Sequence, residues 1–296
     1  MKKKYYITTP IYYPSANPHM GHAYSSISAD FIARYKRLEG YDVKFVTGTD
    51  EHGQKIQKSA DKRKLSPEVF CNEISKVFLD LTKTLNLSNT DFIRTTEDRH
   101  YKTVQMLWKI LEEKKFIYLS KYSGWYSVSD EAFYAESEII EKENSKICEV
   151  TGSVVEWVEE ESYFFKLSEF QNLLIKHYED NPEFIQPTSR RNEVMSFVKG
   201  GLNDLSISRN SFKWGISVPS SKNHIVYVWL DALANYLTAA NYFDEDSFWP
   251  ADVHIIGKDI LRFHAVYWPA FLLAAEIPLP KKIFGHGWIL SGDEKM

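Results

Sequence analysis

Two histidines bracket a short turn in Pro18-His19-Met20-Gly21-His22, one loop after an apolar strand and immediately ahead of an amphipathic helix. A helix start presents unpaired backbone N–H groups with partial positive charge, so a chain reaching it through Gly21 can approach phosphates closely. His19 and His22, three apart, face one side, where their imidazoles can donate to phosphate oxygens or stack on a purine, and Gly21 leaves space for a base. The same residues would also make a pair of surface histidines at a helix cap, and the motif alone does not choose. Asp50 falls at the carboxyl end of an expected strand, where α/β folds place ligands; its carboxylate can pair with a substrate ammonium or simply close a turn. Trp229, Ala232, Leu233 and Tyr236 have the i, i+3, i+4, i+7 spacing of one helix face, which suits an aromatic pocket and plain core packing alike.

These groups need elements to hold them. Tyr5 to Thr9 reads as a strand and Pro10 to Pro18 as a loop; Ile27, Phe31, Tyr35 and Leu38 then recur at helical spacing until Gly40, and Val43 to Thr47 gives a second strand. Strand, crossover helix and strand demand a parallel sheet with a right-handed connection. Helices are expected from Pro67 to about Leu85, with Leu79, Leu81 and Leu85 apolar, and from Glu97 to about Lys115, with Val104, Leu107, Trp108 and Leu111 on one side; Phe92 to Thr95 is a short strand between them. From about Phe116 to Phe165 the texture turns to Tyr, Trp, Ser and Glu in short alternating runs, a small β-rich insertion. Helical periodicity resumes over Ser168–Tyr178 and Arg190–Lys199, and strand-helix-strand alternation returns with Tyr227, Leu230–Ala240, Val253–Ile256 and Ile260–Ala275. The expected fold is α/β, a doubly wound Rossmann-like parallel sheet split in two: residues 1–115, an insertion with flanking helices over 116–205, and a second half over 206–296.

With 296 residues, 44% hydrophobic, the chain can bury a large core. A formal charge of −4 lacks the clustered basic excess of phosphate-neutralising proteins, so any RNA contact must be local or lie elsewhere. No run approaches the roughly 18 to 20 apolar residues of a membrane span, and Met1-Lys2-Lys3-Lys4 leads straight into a strand, more a solvated terminus than a binding patch. Cys71 and Cys148 sit in unlike contexts, so a disulfide framework is not expected. A cytoplasmic protein without membrane contact is the expectation.

The histidine motif has Thr8-Thr9-Pro10-Ile11-Tyr12-Tyr13 before it and Thr47-Gly48-Thr49-Asp50-Glu51-His52-Gly53 after the next strand. Together these resemble the class I aminoacyl-tRNA synthetases, and among them the methionyl-tRNA synthetases. The resemblance continues through Tyr227-Val228-Trp229-Leu230-Asp231-Ala232, His254-Ile255-Ile256-Gly257-Lys258-Asp259-Ile260 and Phe284-Gly285-His286-Gly287-Trp288. It implies a synthetase catalytic domain split by a connective peptide, with ATP and Mg2+ activating L-methionine as the adenylate, which then esterifies the 3′ end of tRNA(Met). By the same resemblance His19, His22, Arg209 and Lys295 serve the reaction, and His19, Gly21, His22, Gly257, Asp259, Gly287 and Ile289 hold ATP. Pro10, Ile11, Tyr13, Asp50, Trp229, Ala232, Leu233, Tyr236, Ile260 and His264 form the methionine pocket. Such a pocket suits a thioether, which gains about 0.3 to 1.5 kcal/mol from aromatic contacts. One methylene is worth only about 1 to 3 kcal/mol, so homocysteine should be rejected imperfectly.

Where many members of that family carry a zinc knuckle, the corresponding segment has Ser127, Asp130, Cys148 and Thr151, a poor tetrahedral donor set, and a metal-free insertion is expected. The last residues, Lys295-Met296, resemble the opening of the family's Lys-Met-Ser-Lys-Ser loop, so the chain reads as cut within that loop and without an anticodon-reading domain. Weak binding, poor activation and a monomeric state are expected of it. Three other readings remain open: another class I synthetase, a small nucleotidyltransferase sharing the histidine motif, and a non-catalytic paralogue.

Overall fold

The structure, a computed structural model, describes residues 2–142, 145–291 and 294–295, with side chains placed through Ile289. β1 (Lys4–Tyr12) runs three residues past the expected end at Thr9. Its parallel ladder with β2 (Asp42–Thr49) shifts register between Thr8 and Ile11, so Pro10 falls where no ladder N–H is required. Between them α1 (Met20–Leu38) carries a correction. Its apolar stripe faces outward, Phe31 at 73% and Leu38 at 88% exposure, while Ala23, Ser25, Ser26, Ala29, Asp30 and Ala33 are buried. Small side chains let the helix lie close on β1, β2 and β14, which a ridge of Phe and Tyr would hold off. Periodicity identified the helix and not the face it buries.

α2 (Gln54–Lys62), absent from the sequence reading, buries only Ile56 and Ala60. α3 (Pro67–Thr84) buries Phe70, Cys71, Ser75, Phe78 and Thr82, leaving Leu79, Leu81 and Leu85 half-buried. After β3 (Asp91–Arg94), α4 (Asp98–Glu113) buries Val104, Leu107, Trp108 and Leu111 as its spacing predicts. The insertion follows: β4 (Ile117–Ser127), β5 (Ala132–Tyr134), the hairpin of β6 (Ile139–Lys142) and β7 (Ser145–Cys148), and β8 (Glu156–Phe165). β4 and β8 pair antiparallel from Ile117↔Phe165 to Tyr126↔Glu156. Then come α5 (Gln171–Asp180), β9 (Ile185–Gln186), α6 (Thr188–Lys199), β10 (Leu205–Ser206), β11 (Ser208–Arg209), β12 (Ser217–Val218), β13 (Ser221–Val226), α7 (Val228–Ala239), β14 (Val253–Gly257), α8 (Trp268–Ala274) and β15 (Ile283–His286).

The main sheet has the order β3-β2-β1-β14-β15-β9, with every pair parallel. Alternate residues serve opposite faces: Ile7, Phe45, Val253 and Ile255 pack with Ala29 and Ala33 of α1, whereas Tyr6, Val46 and Ile93 pack with Ala239 and Ala240 from the α7 side. The stretch 116–205 is thus divided. β9 closes the edge of the parallel sheet, while β10 joins β8 and β4 in the antiparallel one. A two-residue strand has no period to read, which is why β9 was invisible in the sequence. Among the described residues no helix is long and apolar enough to cross a membrane.

Candidate active site

β1 and β14 are the neighbours at which the strand order reverses, the place where open α/β sheets leave a crevice beyond their carboxyl ends. A cleft of about 520 Å³ lies there, within the usual range for small-molecule sites. Its lining includes the residues expected to serve the nucleotide, His19, Gly21, His22, Gly257, Asp259, Gly287 and Ile289, and those expected to serve the amino acid, Pro10, Ile11, Tyr13, Asp50, Trp229, Ala232, Leu233, Tyr236, Ile260 and His264. Residues from five separate stretches of chain thus meet in a single concavity.

The two histidines cap α1 themselves. Gly21 N–H donates to His19 Nδ1 at 3.1 Å and His19 N–H to His22 Nδ1 at 3.0 Å. This corrects the expectation of unpaired backbone donors, because two of them are already taken. An Nδ1 that accepts from a backbone N–H carries no proton, so each neutral ring holds its proton on Nε2. The imidazole N–H groups therefore add to the backbone donors that remain at the helix start for a phosphate. Burial, followed by the neighbouring His19, pushes His22 down to about 4, which keeps it neutral at physiological pH. A Cβ on Gly257 would meet Asp259 Oδ1 at 2.6 Å, whereas one on Gly287 would meet nothing within 4 Å among the described residues.

Among the residues expected to serve the amino acid, Asp50 is buried, and its Oδ1 has no hydrogen-bond partner among the described residues. Burial first, then the carboxylates of Asp231, Glu131 and Glu51, push its pKa well above the usual carboxylate range. A buried carboxylate left in this state calls for a cation. Trp229 stacks on Phe263 with ring centroids 3.6 Å apart and planes within 3°. His264 Nδ1–H donates to the Ile260 carbonyl at 3.0 Å, leaving Nε2 to accept from the Tyr236 hydroxyl at 2.7 Å. Phe263 and His264 lie in a π-helical turn, Phe263–Tyr267, that brings consecutive side chains to the cleft.

Burial also holds His264 at about 4, against an ordinary value of 6.5. Both His264 and His22 stay neutral in the folded chain, while the unfolded chain takes up their protons below pH 6.5. The stability they supply is present above that pH and is lost progressively as pH falls toward about 4. For the fully buried His264 this amounts to roughly 2 to 4 kcal/mol. Urea midpoints measured across this window should fall steadily with pH, and His264→Gln should flatten part of the slope; an unchanged slope would refute the assignment.

Some expectations are not met in the cleft. Arg209 does not line it: its guanidinium lies 4.1 Å from the Phe133 ring centroid and 4.7 Å from that of Tyr227, with Glu160 at 3.7 Å. The two-residue β11 packs it against β8, so the expected contact with reacting groups is replaced by an interior ion pair. The side chain of Lys295 lies outside the described residues. Around the knuckle positions, Asp130 accepts from the hydroxyls of Tyr134, Thr151 and Ser153 at 2.7 to 2.8 Å, and its own N–H donates to Ser127 Oγ at 3.3 Å. Cys148 is buried nearby in the insertion. Among the described residues no group of three His, Cys, Asp or Glu could hold a metal ion.

Sequence reasoning missed Lys55, Phe263 and Glu131, all of which line the cleft. Glu131 comes from the turn between β4 and β5, in a left-handed conformation with φ of 48°. Its Oε1 accepts from Lys55 N–H at 2.9 Å and its carbonyl from the Tyr227 hydroxyl at 2.8 Å, while Tyr126 donates to Oε2. The insertion thus supplies a wall of the site. No spacing in the sequence signals this, because the turn has no periodicity.

Residues 5–296 match the family described as tRNA synthetases class I (M). The methionine–tRNA ligase of Rickettsia conorii is 56% identical over the whole of this chain, which covers 58% of that relative's length; that of Mesorhizobium japonicum is 54% identical with the same coverages. The chain spans somewhat more than half of the length of these relatives. Among solved structures, Mycobacterium tuberculosis methionyl-tRNA synthetase in complex with methionyl-adenylate superposes with a TM-score of 0.95 at 52% identity, over 96% of this chain and 57% of that one. The apo form of the same enzyme gives 0.85 at 50% identity, over 97% and 56%. With its parallel sheet, histidine-capped helix and aromatic cleft, the chain belongs to the class I methionyl-tRNA synthetase family.

Proposed function

We propose that this cleft activates L-methionine with ATP and that the resulting adenylate is passed to the 3′ end of tRNA(Met). The supporting observation is the buried Asp50 carboxylate, with one oxygen unpartnered among the described residues, in a single concavity with the rings of Trp229 and Tyr236 and the paired histidines. The methionine ammonium would pair with Asp50, and its thioether would lie against Trp229 and Tyr236. A carboxylate oxygen then attacks the α-phosphorus of ATP; the new P–O bond forms as the bond to pyrophosphate breaks, and pyrophosphate leaves. Chemistry of this kind is mostly positioning and charge stabilisation, which the Nε2–H groups of His19 and His22 supply. Gly21 and Gly287 would admit adenine, and Asp259 the ribose. Mg2+ would accompany the triphosphate. The hydrogen-bonded knot around Asp130 would order the insertion in place of zinc, and the two free cysteines suit the reducing cytoplasm.

The test is amino-acid-dependent ATP–pyrophosphate exchange together with calorimetric binding across a panel of amino acids. Methionine should bind best, homocysteine about 10 to 200 times more weakly, and isoleucine, valine and cysteine more weakly still. Preference for any of the last three, or no amino-acid binding at all, would overturn the reading.

A further inference from the structure

Two motifs contain groups that the proposed chemistry does not use, His52 beside Asp50 and Asp231 beside Trp229. Asp231 is fully buried on α7 and does not line the cleft. His52 Nδ1–H donates to its Oδ2 at 2.7 Å, and His100 Nε2–H donates to its Oδ1 at 2.7 Å. Each histidine is braced on its far side. The Tyr101 hydroxyl donates to His52 Nε2 at 3.1 Å, and His100 Nδ1 lies 2.9 Å from Thr238 Oγ1, back on α7.

Three pieces of the molecule meet in this network: the loop that carries Asp50, the helix that carries Trp229, Ala232, Leu233 and Tyr236, and α4 with His100 and Tyr101. A carboxylate with both oxygens bonded to imidazoles is held ionised and in place. Its charge also faces Asp50. The other groups acting on Asp50 are Glu131, which accepts from Tyr126, and Glu51, which Arg94 grips through two bonds at 2.7 and 2.9 Å. Tyr13 and Cys71 lie close enough to sense Asp50, and Tyr101 to sense Asp231.

We infer that Asp231 is a positioning residue for the amino-acid half of the cleft, strapping the Asp50 loop to the aromatic wall and adding its negative charge to the field that receives the ammonium. The inference rests on the reading of Asp50 as the ammonium partner. Neither His19 nor His22 bonds to the network, so ATP binding should be indifferent to it.

Asp231→Asn isolates the charge. Asn can still accept from His52, and His100 can move its proton to Nδ1 and donate to Thr238 Oγ1, whose own proton then goes to the Ala234 carbonyl at 3.2 Å. Titration calorimetry of the 296-residue chain with L-methionine, and separately with ATP, across pH 5 to 9 reads the outcome. Methionine affinity should drop about tenfold at its plateau, the worth of a charge-assisted contact. Its low-pH limb should move to lower pH, since removing a neighbouring negative charge eases ionisation of Asp50. ATP affinity should not change.

Tyr101→Phe, a milder variant, frees the His52 tautomer and should weaken methionine about threefold, as loss of one neutral hydrogen bond does. It decides the matter if Asp231→Asn fails to fold. A uniform loss of methionine and ATP affinity without displacement of the limb, or parental methionine affinity in both variants, overturns the inference. Asp50→Asn separates the two layers. If it binds methionine like the parent, the ammonium reading itself falls. If it abolishes binding while the network variants match the parent, only the role of Asp231 falls.

Discussion

Asp50→Asn should weaken L-methionine binding by at least about a hundredfold, the scale on which removing one member of a buried ion pair acts, and should make the ligand-free chain more stable at neutral pH. Both effects come from one buried carboxylate, with Oδ1 unpartnered among the described residues, whose pKa burial and three neighbouring acids push well above its ordinary 3.8 against a backbone hydrogen bond from His52. An ammonium binds only the ionised form, so methionine affinity should fall as pH drops through that raised value, and binding near it should release a proton. Calorimetry in buffers of different ionisation enthalpy measures that proton directly.

The stability effect has the opposite sign. Above 3.8 the unfolded chain has given up the Asp50 proton while the folded chain still holds it, so ionising Asp50 costs the native state more as pH rises toward the raised value. Asn carries no such cost, and the gain should be on the order of 1 kcal/mol, a few degrees in Tm. Methionine binding within threefold of the parent, or a lower Tm, would count against this account of the site.

His22→Ala should slow adenylate formation by about 10² to 10³, the usual effect of deleting one preorganised donor to developing charge, while methionine affinity stays near the parent value. His22 packs against Tyr12, His19 and Phe78, none of them a residue of the expected methionine pocket, so that pocket should not notice the change. Because Nδ1 is committed to His19 N–H, the active donor is Nε2–H. His22→Gln, which can place an amide N–H near that position, should recover part of the rate. With His22 held at about 4, no limb of the rate profile between pH 6 and 8 should belong to it. Single-turnover quench experiments provide the rate; an alanine variant as fast as the parent would remove His22 from the chemistry.

Much of the scaffold could be read from spacing. The β1-α1-β2 unit, α4 with its buried Val104, Leu107, Trp108 and Leu111, and α7 all follow from periodicity over a dozen or more residues, although the spacing of Trp229, Ala232, Leu233 and Tyr236 suits core packing as well as a cleft. Short or weakly patterned elements could not: α2 buries two residues and β9 has two in total. The orientation of α1 was also hidden. A helix beside a sheet buries the side chains that allow close approach, here Ala and Ser, even when a longer apolar stripe lies opposite.

By itself the sequence determined which functional groups exist and at what local spacing: two imidazoles around a glycine, a carboxylate after a strand, a run of rings along one helix face. Tertiary structure alone decided what those groups can do. It set the histidine tautomers through the cap of α1, brought Glu131 from a distant turn to the cleft, and drew Arg209 into an interior pair with Glu160. It also placed Asp50 among other acids with one oxygen unpaired. The physical reason is that protonation and hydrogen bonding depend on burial and on charges a few ångströms away in space, and here those neighbours lie up to 181 residues away in sequence, as Asp231 does from Asp50.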